Sequence, residues 1–166
     1  MKIGFTVAAS SLGKVLVAGT ERGISAVYLG DDERTLVNAL QKEYPRAEIA
    51  RSAPSNESWL KEILSRVDGH APSKELPLDV QATAFQRRVW QELQKIPLGA
   101  TRTYTQVAHA LGKPNSVRAV ARACATNPTS IVVPCHRVIR TDGELAGYRW
   151  GLQRKQKLLE REGARA

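Results

Sequence analysis

Apolar and polar residues alternate through the first thirty positions, and turn residues interrupt the alternation twice. The runs KIGFTVAA, KVLVAG and ISAVYLG each have the length of a β-strand, and a glycine lies at each bend between them. The pattern predicts three short strands joined as hairpins.

After Asp32 the apolar positions change to a helical spacing. The stretch ERTLVNALQKEYP stops at Pro45, and SWLKEILSRV repeats the amphipathic pattern further on. One face of the first stretch collects Leu36, Val37, Leu40 and Tyr44. The proline-containing segment DGHAPSKELPLDV is typical of a connection between domains. We therefore predict an N-terminal α/β domain with its linker over residues 1–79 and a C-terminal domain over residues 80–166.

The C-terminal domain is predicted to be mostly helical. The stretch ATAFQRRVWQELQKI gathers its large apolar residues on one helical face, namely Phe85, Val89, Trp90, Leu93 and Ile96. Thr83 and Gln86 have the spacing of a capping box at its start, and TYTQVAHA begins the next short helix with the same spacing. A tight Gly-Lys-Pro turn and a second helix, capped by Asn115 or Ser116, complete a helix-turn-helix pattern.

The second helix of this motif has two different faces. Its predicted buried stripe consists of Val117, Val120, Ala121 and Cys124, and a free cysteine there acts as a small apolar side chain. Another face carries two arginines and two small residues: Arg118, Arg122, Ala119 and Ala123. Small side chains beside guanidinium groups let a helix approach a nucleic-acid groove closely. We expect a DNA-reading helix; two arginines that contact only water are the alternative.

Composition is that of a globular protein, but its charge is unevenly distributed. The 166 residues are 42% hydrophobic and 25% charged, with a formal net charge of +9. Residues 1–79 contain 10 Lys and Arg against 11 Asp and Glu, whereas residues 80–166 contain 15 against 5. A net charge of +10 in the C-terminal domain favours a polyanionic partner, nucleic acid first. A basic surface that is only solvated is the alternative.

The sequence argues against several other classes of protein. No apolar run approaches the about 20 residues that cross a bilayer, and the N-terminus lacks the pattern of a signal peptide. Two cysteines without a leader favour the reducing cytoplasm over a disulfide scaffold. Because Cys124 and Cys135 lie eleven positions apart and the histidines are scattered, we expect no metal site and no cofactor.

The segment IVVPCHRVIR surrounds one thiol with cations. IVV is typical of a short buried strand, and Pro134 removes an N–H and interrupts any strand ladder before Cys135. His136, Arg137 and Arg140 supply positive potential that would favour a thiolate. Neighbouring side chains of a strand point to opposite faces, so Cys135 and His136 can meet only if the backbone bends there.

Four roles are open to Cys135 on these grounds: nucleophile, metal ligand, disulfide partner or small buried side chain. A cysteine hydrolase takes its base from a histidine distant in sequence, here His70 or His109. His70 lies in the linker and His109 in the first helix of the helix-turn-helix, and neither belongs to a supporting motif. A papain-like interpretation is therefore weakly supported.

Several motifs, in order and spacing, resemble one family. PCHRV, preceded by NPTSIVV and followed by DGELAGYRWG, is similar to the active-site signature of the O6-alkylguanine-DNA alkyltransferases. FQRRVW, YTQVA, GKPNSVRAVARAC and LLEREG extend the resemblance over nearly the whole chain, which is most similar to the C-terminal methyltransferase module of bacterial Ada proteins.

The resemblance implies an α+β fold in two domains. The N-terminal domain would be ribonuclease-H-like, with a small antiparallel sheet and helices. The C-terminal domain would be mostly helical, with a winged or helix-turn-helix DNA-binding motif. Some members bind zinc near the N-terminus, but the Cys and His ligands for it are absent here, which again implies no metal.

The resemblance also implies roles for particular residues. Cys135 matches the alkyl-accepting cysteine, His136 the histidine that activates it through a water, and Glu162 the acid that orients this histidine. Tyr104 matches the tyrosine that helps rotate the target nucleotide and assists guanine departure. Asn127 matches the asparagine that braces the helix-turn-helix against the active-site strand.

Further residues match positions that contact DNA or guanine. Arg118 matches the arginine finger that enters the base stack once the nucleotide has left it. The other implied contacts to the DNA minor groove are Thr105, Ser116, Ala119 and Arg122. The implied guanine pocket consists of Val138, Tyr148 and Arg149, the last through its backbone.

The implied activity is DNA repair by direct transfer. A monomer would move the alkyl group of O6-alkylguanine in double-stranded DNA to Cys135, with O4-methylthymine a further candidate substrate. Because an S-alkyl thioether offers water no electrophilic centre, each molecule of this cysteine S-methyltransferase would act once. The alternative is a DNA-binding lesion sensor or transcription regulator without transferase activity; such relatives replace the acceptor cysteine, which is present here.

Overall fold

The fold consists of two units of contiguous chain, Met1–Val80 and Gln81–Ala166. The computed structural model describes residues 1–52, 54–145 and 147–164. The alanine of the DGELAGYRWG motif lies outside the described residues.

The alternating runs at the N-terminus form three antiparallel strands, β1 (Lys2–Ser10), β2 (Gly13–Thr20) and β3 (Gly23–Gly30), which confirms the predicted hairpins. A further strand, β4 (Glu48–Arg51), runs parallel to β1 and completes a sheet of order β3-β2-β1-β4. The sequence pattern does not predict β4, because its four residues are mostly exposed and lack apolar alternation. The sheet is therefore mostly antiparallel with one parallel edge.

Two helices pack on this sheet, α1 (Glu33–Glu43) and α2 (Pro54–Val67). Asp32 caps α1 by accepting a hydrogen bond from the Thr35 N–H. The second helix begins at Pro54, four residues before Ser58, where the stretch SWLKEILSRV predicts it. The prediction is late because the first turn lacks apolar periodicity and is marked only by Pro54, a residue favoured in the first helical turn.

A buried carboxylate holds the proline-containing segment onto the first unit. Glu62 accepts hydrogen bonds from Arg66 Nε at 2.7 Å and from Ser73 Oγ. Further along, the Asp79 N–H donates to the Ile24 carbonyl at 2.8 Å. The charge-assisted bonds of Glu62 and this backbone bond together fix a segment that carries little apolar surface of its own.

Helices dominate the described residues of the second unit. They are α3 (Ala84–Gln94), α4 (Tyr104–Ala110), α5 (Val117–Ala125) and α6 (Leu152–Arg161). Two-residue strands, β5 (Arg102–Thr103) and β6 (Val138–Ile139), pair in parallel between them. The α4–α5 pair is the predicted helix-turn-helix.

Local signals in the sequence account for most of these boundaries. Both predicted capping boxes are present, at Thr83 before α3 and at Thr103 before α4. Ser116 lies at the N-cap of α5, but its side chain makes no capping hydrogen bond. The Trp90 indole of α3 donates to the Ala123 carbonyl of α5 at 3.0 Å. Ala123 is consequently buried against α3, so its predicted place beside the two arginines is wrong.

The segment IVV does not form the predicted strand. Ser130 and Val133 make an isolated bridge, and Ile131 between them has a φ of 74°, which a strand does not permit. The chain folds back because the Asn127 side chain accepts hydrogen bonds from Thr129 and donates one to the Val133 carbonyl. The apolar residues are buried as expected, but in a tight turn.

Candidate active site

Cys135 begins a 3₁₀-helical turn, Cys135–Arg137, that connects the folded-back segment to β6. Pro134 precedes the turn, and its carbonyl accepts from the Arg137 N–H at 3.0 Å. The backbone thus bends at the predicted position, and the thiol and the imidazole are no longer forced to opposite faces of a strand. Cys135 is 5% exposed and His136 is 0% exposed.

Asn127 ties the thiol to the end of α5. Its side-chain nitrogen donates to Cys135 Sγ at 3.3 Å and to the Val133 carbonyl at 2.9 Å. Its oxygen accepts from the N–H and the hydroxyl of Thr129. Both the nitrogen and the oxygen of the Asn127 side chain are therefore hydrogen-bonded. This buried residue connects the end of α5 to the thiol.

His136 and Glu162 form a buried pair. His136 Nε2 lies 2.8 Å from Glu162 Oε2, and Glu162 is the C-cap residue of α6. Because Nε2 donates its proton to the carboxylate, Nδ1 is the basic nitrogen. Nδ1 is buried without a hydrogen-bond partner among the residues that the structure describes. Burial lowers the pKa of His136 although Glu162 opposes this, so the imidazole is neutral near pH 7.

Glu162 is shared with a second cation. Arg137 Nε donates to Oε1 at 2.8 Å and Arg137 Nη2 donates to Oε2 at 3.1 Å. Burial by itself would raise the pKa of Glu162, but hydrogen bonds from His136 and Arg137 outweigh it and hold the pKa at about 2. Glu162 is therefore ionised throughout the physiological range, and Arg137 is an ion-pair partner.

The expectation of a thiolate favoured by neighbouring cations is wrong for this structure. Burial raises the pKa of Cys135, against the Asn127 hydrogen bond and more distant positive charges. The cations nearest in sequence cannot help, because His136 is neutral, Arg137 pairs with Glu162, and Arg140 pairs with a surface aspartate. The protein at rest therefore holds a thiol, which needs a base to become a nucleophile.

Lys155 is a buried charge near the site that the sequence analysis misses. Its side chain in α6 is fully buried, and Nζ donates to the Val138 carbonyl at 2.6 Å and to the Gly147 carbonyl at 3.4 Å. Burial lowers the pKa of Lys155. A signal was available: Lys155 and Glu162 are seven positions apart, on the helical stripe that also contains the buried leucines of LQRKQKLLER.

A cavity of about 370 Å³ opens beside these groups. It is lined by Tyr104, Ala121, Ala125, Gly147, Tyr148 and Arg149. Burial and then the nearby thiol raise the pKa of Tyr148, so this lining residue lies close to Cys135 and keeps its proton. The volume is within the range of small-ligand sites.

The walls of the cavity are fixed by aromatic contacts. The Arg149 guanidinium stacks over the Trp150 ring at 4.6 Å, and the Trp150 indole donates to Ser130 Oγ at 2.7 Å. The Lys155 ammonium lies 5.9 Å from the ring centre of Tyr104, the first residue of α4. Val138, predicted with this pocket, is fully buried in β6.

The remaining predicted contacts lie on the surface of the helix-turn-helix. Arg118, Ala119 and Arg122 are exposed along one side of α5, and Ser116 at its N-cap is half-buried. The Thr105 hydroxyl of α4 lies 2.9 Å from the hydroxyl of Thr141. Val117 and Ala121, predicted to lie on the buried stripe, are only half-buried. A helix face with two exposed guanidinium groups and small residues is compatible with DNA.

The described residues contain neither a cluster of metal ligands nor a helix able to cross a membrane. No group of three or more His, Cys, Asp or Glu side chains there could hold a metal ion. Nor does that part of the chain contain a helix with the length and apolar character needed to cross a membrane.

A buried thiol beside a neutral imidazole and an ionised carboxylate, carried by a helix-turn-helix unit, defines a class: a protein with a cysteine nucleophile on a DNA-binding fold. The family described as 6-O-methylguanine DNA methyltransferase, DNA binding domain, matches residues 84–164. The chain belongs to the methylated-DNA–protein-cysteine methyltransferase family, which confirms the predicted family.

Two relatives and one solved structure illustrate the similarity. The bifunctional transcriptional activator/DNA repair enzyme Ada of Escherichia coli is 47% identical over 162 residues, which cover 98% of this chain. The methylated-DNA–protein-cysteine methyltransferase of Methanosarcina acetivorans is 35% identical over 164 residues, 96% of this chain and 98% of that relative. The Mycobacterium tuberculosis O6-methylguanine methyltransferase structure superposes with a TM-score of 0.79 and 31% identity, covering 99% and 94% of the two chains.

The lengths of these proteins differ. The chain spans 46% of the Escherichia coli Ada protein and 42% of the Salmonella typhimurium regulatory protein ada. It matches the Mycobacterium tuberculosis structure from end to end, and that likeness confirms the predicted two-domain α+β fold.

Proposed function

We propose that the protein repairs DNA by transferring the alkyl group of O6-alkylguanine to its own Cys135. The observation that carries the proposal is the buried pair of neutral His136 and ionised Glu162 beside a buried thiol. Support comes from relatives named for methyl transfer from DNA to a protein cysteine, and from the similar Mycobacterium tuberculosis protein, whose structure was determined in complex with DNA.

The transfer requires one proton to leave the thiol and one to reach guanine. His136 Nδ1 takes the Cys135 proton through a water, and the sulfur electron pair forms a bond to the alkyl carbon. The bond from that carbon to guanine O6 breaks, and its electron pair stays with guanine. Guanine takes up one proton, assisted by Tyr104, and leaves as a neutral base. Glu162 stabilises the imidazolium that exists between these proton transfers.

Access to the alkyl group requires extrusion of the nucleotide. In the proposal α5 enters the minor groove with Arg118 in the vacated stack, and the backbone contacts come from Thr105, Ser116, Ala119 and Arg122. The base then occupies the cavity lined by Tyr104 and Tyr148, bordered by Val138 and Arg149. Asn127 holds the thiol in register with α5.

The proposal assigns different tasks to the two parts of the chain. Residues 80–166 carry the DNA-binding and transfer groups, and residues 1–79 form a supporting domain. The protein would work as a monomer in the cytoplasm, once per molecule, because a thioether sulfur is not released by water. Acceptance of O4-methylthymine belongs to the same proposal.

Intact mass after mixing with duplex DNA that contains O6-methylguanine tests the proposal. One methyl group per molecule should be gained by the native protein and none by Cys135→Ser, because only the thiol accepts carbon. Unchanged mass of the native protein together with tight binding would instead support a lesion sensor. Recovery of more repaired guanine than protein would contradict the single-use mechanism.

A further inference from the structure

Arg137 is a charged residue of the site to which the transfer chemistry gives no role. It follows His136 directly in the 3₁₀ turn, and its side chain is 12% exposed. Two of its nitrogens donate to Glu162, and the third, Nη1, donates to the Ile96 carbonyl at 2.7 Å. Every nitrogen of the side chain is thus engaged, two on the carboxylate that also holds the imidazole.

The shared carboxylate changes what His136 experiences. With Arg137 present, the buried group of Glu162, Arg137 and neutral His136 has no net charge. Without Arg137 it would hold one uncompensated negative charge, which draws a proton onto the imidazole. An imidazolium cannot accept a proton from Cys135, so the guanidinium protects the base form.

The guanidinium also fixes the carboxylate in space. The Ile96 carbonyl lies just past the end of α3, and Glu162 caps α6, so Arg137 joins both helix ends to the turn that carries the thiol. Gly99 has a φ of 87°, and a Cβ there would lie 3.2 Å from the Glu162 carbonyl, so the loop after α3 packs closely on the same cap. A fork of two hydrogen bonds orients a carboxylate in a way that a point charge does not.

We propose that Arg137 is a positioning residue for the transfer, which holds Glu162 as an ionised and oriented partner and keeps His136 in its base form. This inference rests on the proposed function, in which His136 is the base. It assigns to the arginine of the PCHR motif a task distinct from contact with DNA or guanine.

The other groups that face His136 do not replace this effect. Glu162 and Lys155 face it from α6, Tyr148 from the preceding loop with its ring centre 6.5 Å away, and Cys135 from the same turn. Of these, Tyr148 keeps its proton and Lys155 is bonded to backbone carbonyls. Arg137 is therefore the cation in direct contact with the carboxylate.

The sign of the expected change follows from the charges. Burial and Arg137 both lower the pKa of His136, and Glu162 raises it. In the native protein the base form therefore persists below the ordinary value of 6.5, and transfer is lost only at lower pH. Removal of Arg137 leaves only burial and the Lys155 charge to oppose Glu162, so the pKa of His136 and the acid limb of the transfer rate both move upward.

Two variants and one matched control test the inference. Arg137→Met should move the acid limb of the single-turnover methyl-transfer rate upward by about one pH unit, and Arg137→Lys, which keeps the charge, by about half as much. Arg66→Met is the control, since the Arg66–Glu62 pair of the first unit has the same side-chain exposures, 12% and 3%, as the Arg137–Glu162 pair. It should lose stability without any shift of the limb.

A second measurement keeps the inference independent of the activity. The His136 ring resonance, assigned by its loss in His136→Gln, is titrated by NMR in the native protein and in both Arg137 variants. Its midpoint should rise in the order native, Arg137→Lys, Arg137→Met. Equal midpoints would overturn the inference and leave Arg137 a structural ion pair. Native protein that transfers no methyl group contradicts the proposed function instead, while the titration still decides the role of Arg137.

Discussion

At the scale of single residues, burial sets the protonation states around the thiol. It raises the pKa of Cys135 and lowers the pKa of His136, so both are neutral before a substrate is bound. Glu162 alone is driven toward its charged form, by two hydrogen-bonding partners. The site therefore holds a protonated thiol in the same turn as a neutral imidazole, and Asn127 donates one of its hydrogen bonds to that thiol.

Asn127→Ala should lower the free energy of unfolding by about 2–4 kcal/mol, because the Val133 carbonyl and both donors of Thr129 lose their buried partner. Urea denaturation measures the change. Asn115→Ala, at the exposed turn before α5, is the control and should stay within about 0.5 kcal/mol of the native protein. A loss at Asn127 no larger than at Asn115 would show that its hydrogen bonds contribute little.

At the scale of elements, α5 connects the proposed DNA-binding surface to the thiol. One side of the helix packs Val120, Ala123 and Cys124 into the core, and the other exposes Arg118 and Arg122. Asn127 lies two positions after Ala125, the last residue of the helix. If α5 binds DNA as proposed, its buried face would keep it in register with the thiol while its exposed arginines contact the duplex.

Arg118→Ala should lower the single-turnover rate on duplex DNA at least about tenfold, because unstacking costs a few kcal/mol and about 1.4 kcal/mol is tenfold in rate. The rate with free O6-benzylguanine should stay unchanged, since a free base needs no extrusion. Rapid-quench kinetics at saturating DNA measures the first rate.

Arg122→Ala is the matched control, four residues along the same helix. It should weaken DNA binding and leave the saturated rate within about twofold of native. If Arg118→Ala lowered the transfer rate equally on duplex DNA and on the free base, Arg118 would not be the residue that replaces the extruded nucleotide.

At the scale of the whole molecule, the basic charge belongs to one part of the chain. Residues 80–166 have a net charge of +10 and residues 1–79 a net charge of −1. Two of these cations, Arg137 and Lys155, are largely enclosed and hydrogen-bonded within the protein, so the number available to phosphates is smaller than the net charge indicates. Affinity for undamaged DNA should therefore depend on a few exposed side chains.

Binding to undamaged duplex DNA should weaken about 100-fold between about 50 and 200 mM salt if about four phosphates are neutralised. Removing Arg118 and Arg122 together should reduce the log–log slope by about 2. Fluorescence anisotropy measures both. Lys42→Ala, an exposed cation of the first unit, should leave the slope unchanged. An unchanged slope after removal of both arginines would show that other residues contact the phosphates.

Features encoded by neighbouring residues could be predicted from the sequence. The three hairpin strands, both capping boxes and the buried position of Cys124 depend on local spacing, and all are confirmed. The turn at Ile131 could not be predicted, because a buried asparagine side chain replaces the expected strand ladder with its own hydrogen bonds.

The electrostatics of the site could be predicted only in part. The identity of Cys135, His136 and Glu162 follows from motifs, and the structure places His136 against Glu162 across 26 positions of sequence. The protonation of Cys135 does not follow, because it depends on burial and on which cations are already paired. Arg137 looks like a source of positive potential in sequence, and in the structure its charge is cancelled by Glu162.

The distance along the chain between His136 and its carboxylate has a consequence for synthesis. Glu162 leaves the ribosome 26 residues after His136. During that interval the imidazole has no acidic partner, and the nascent thiol lacks an oriented base. In the proposed mechanism the base is therefore oriented only once α6 has been synthesised and has brought Glu162 to the imidazole.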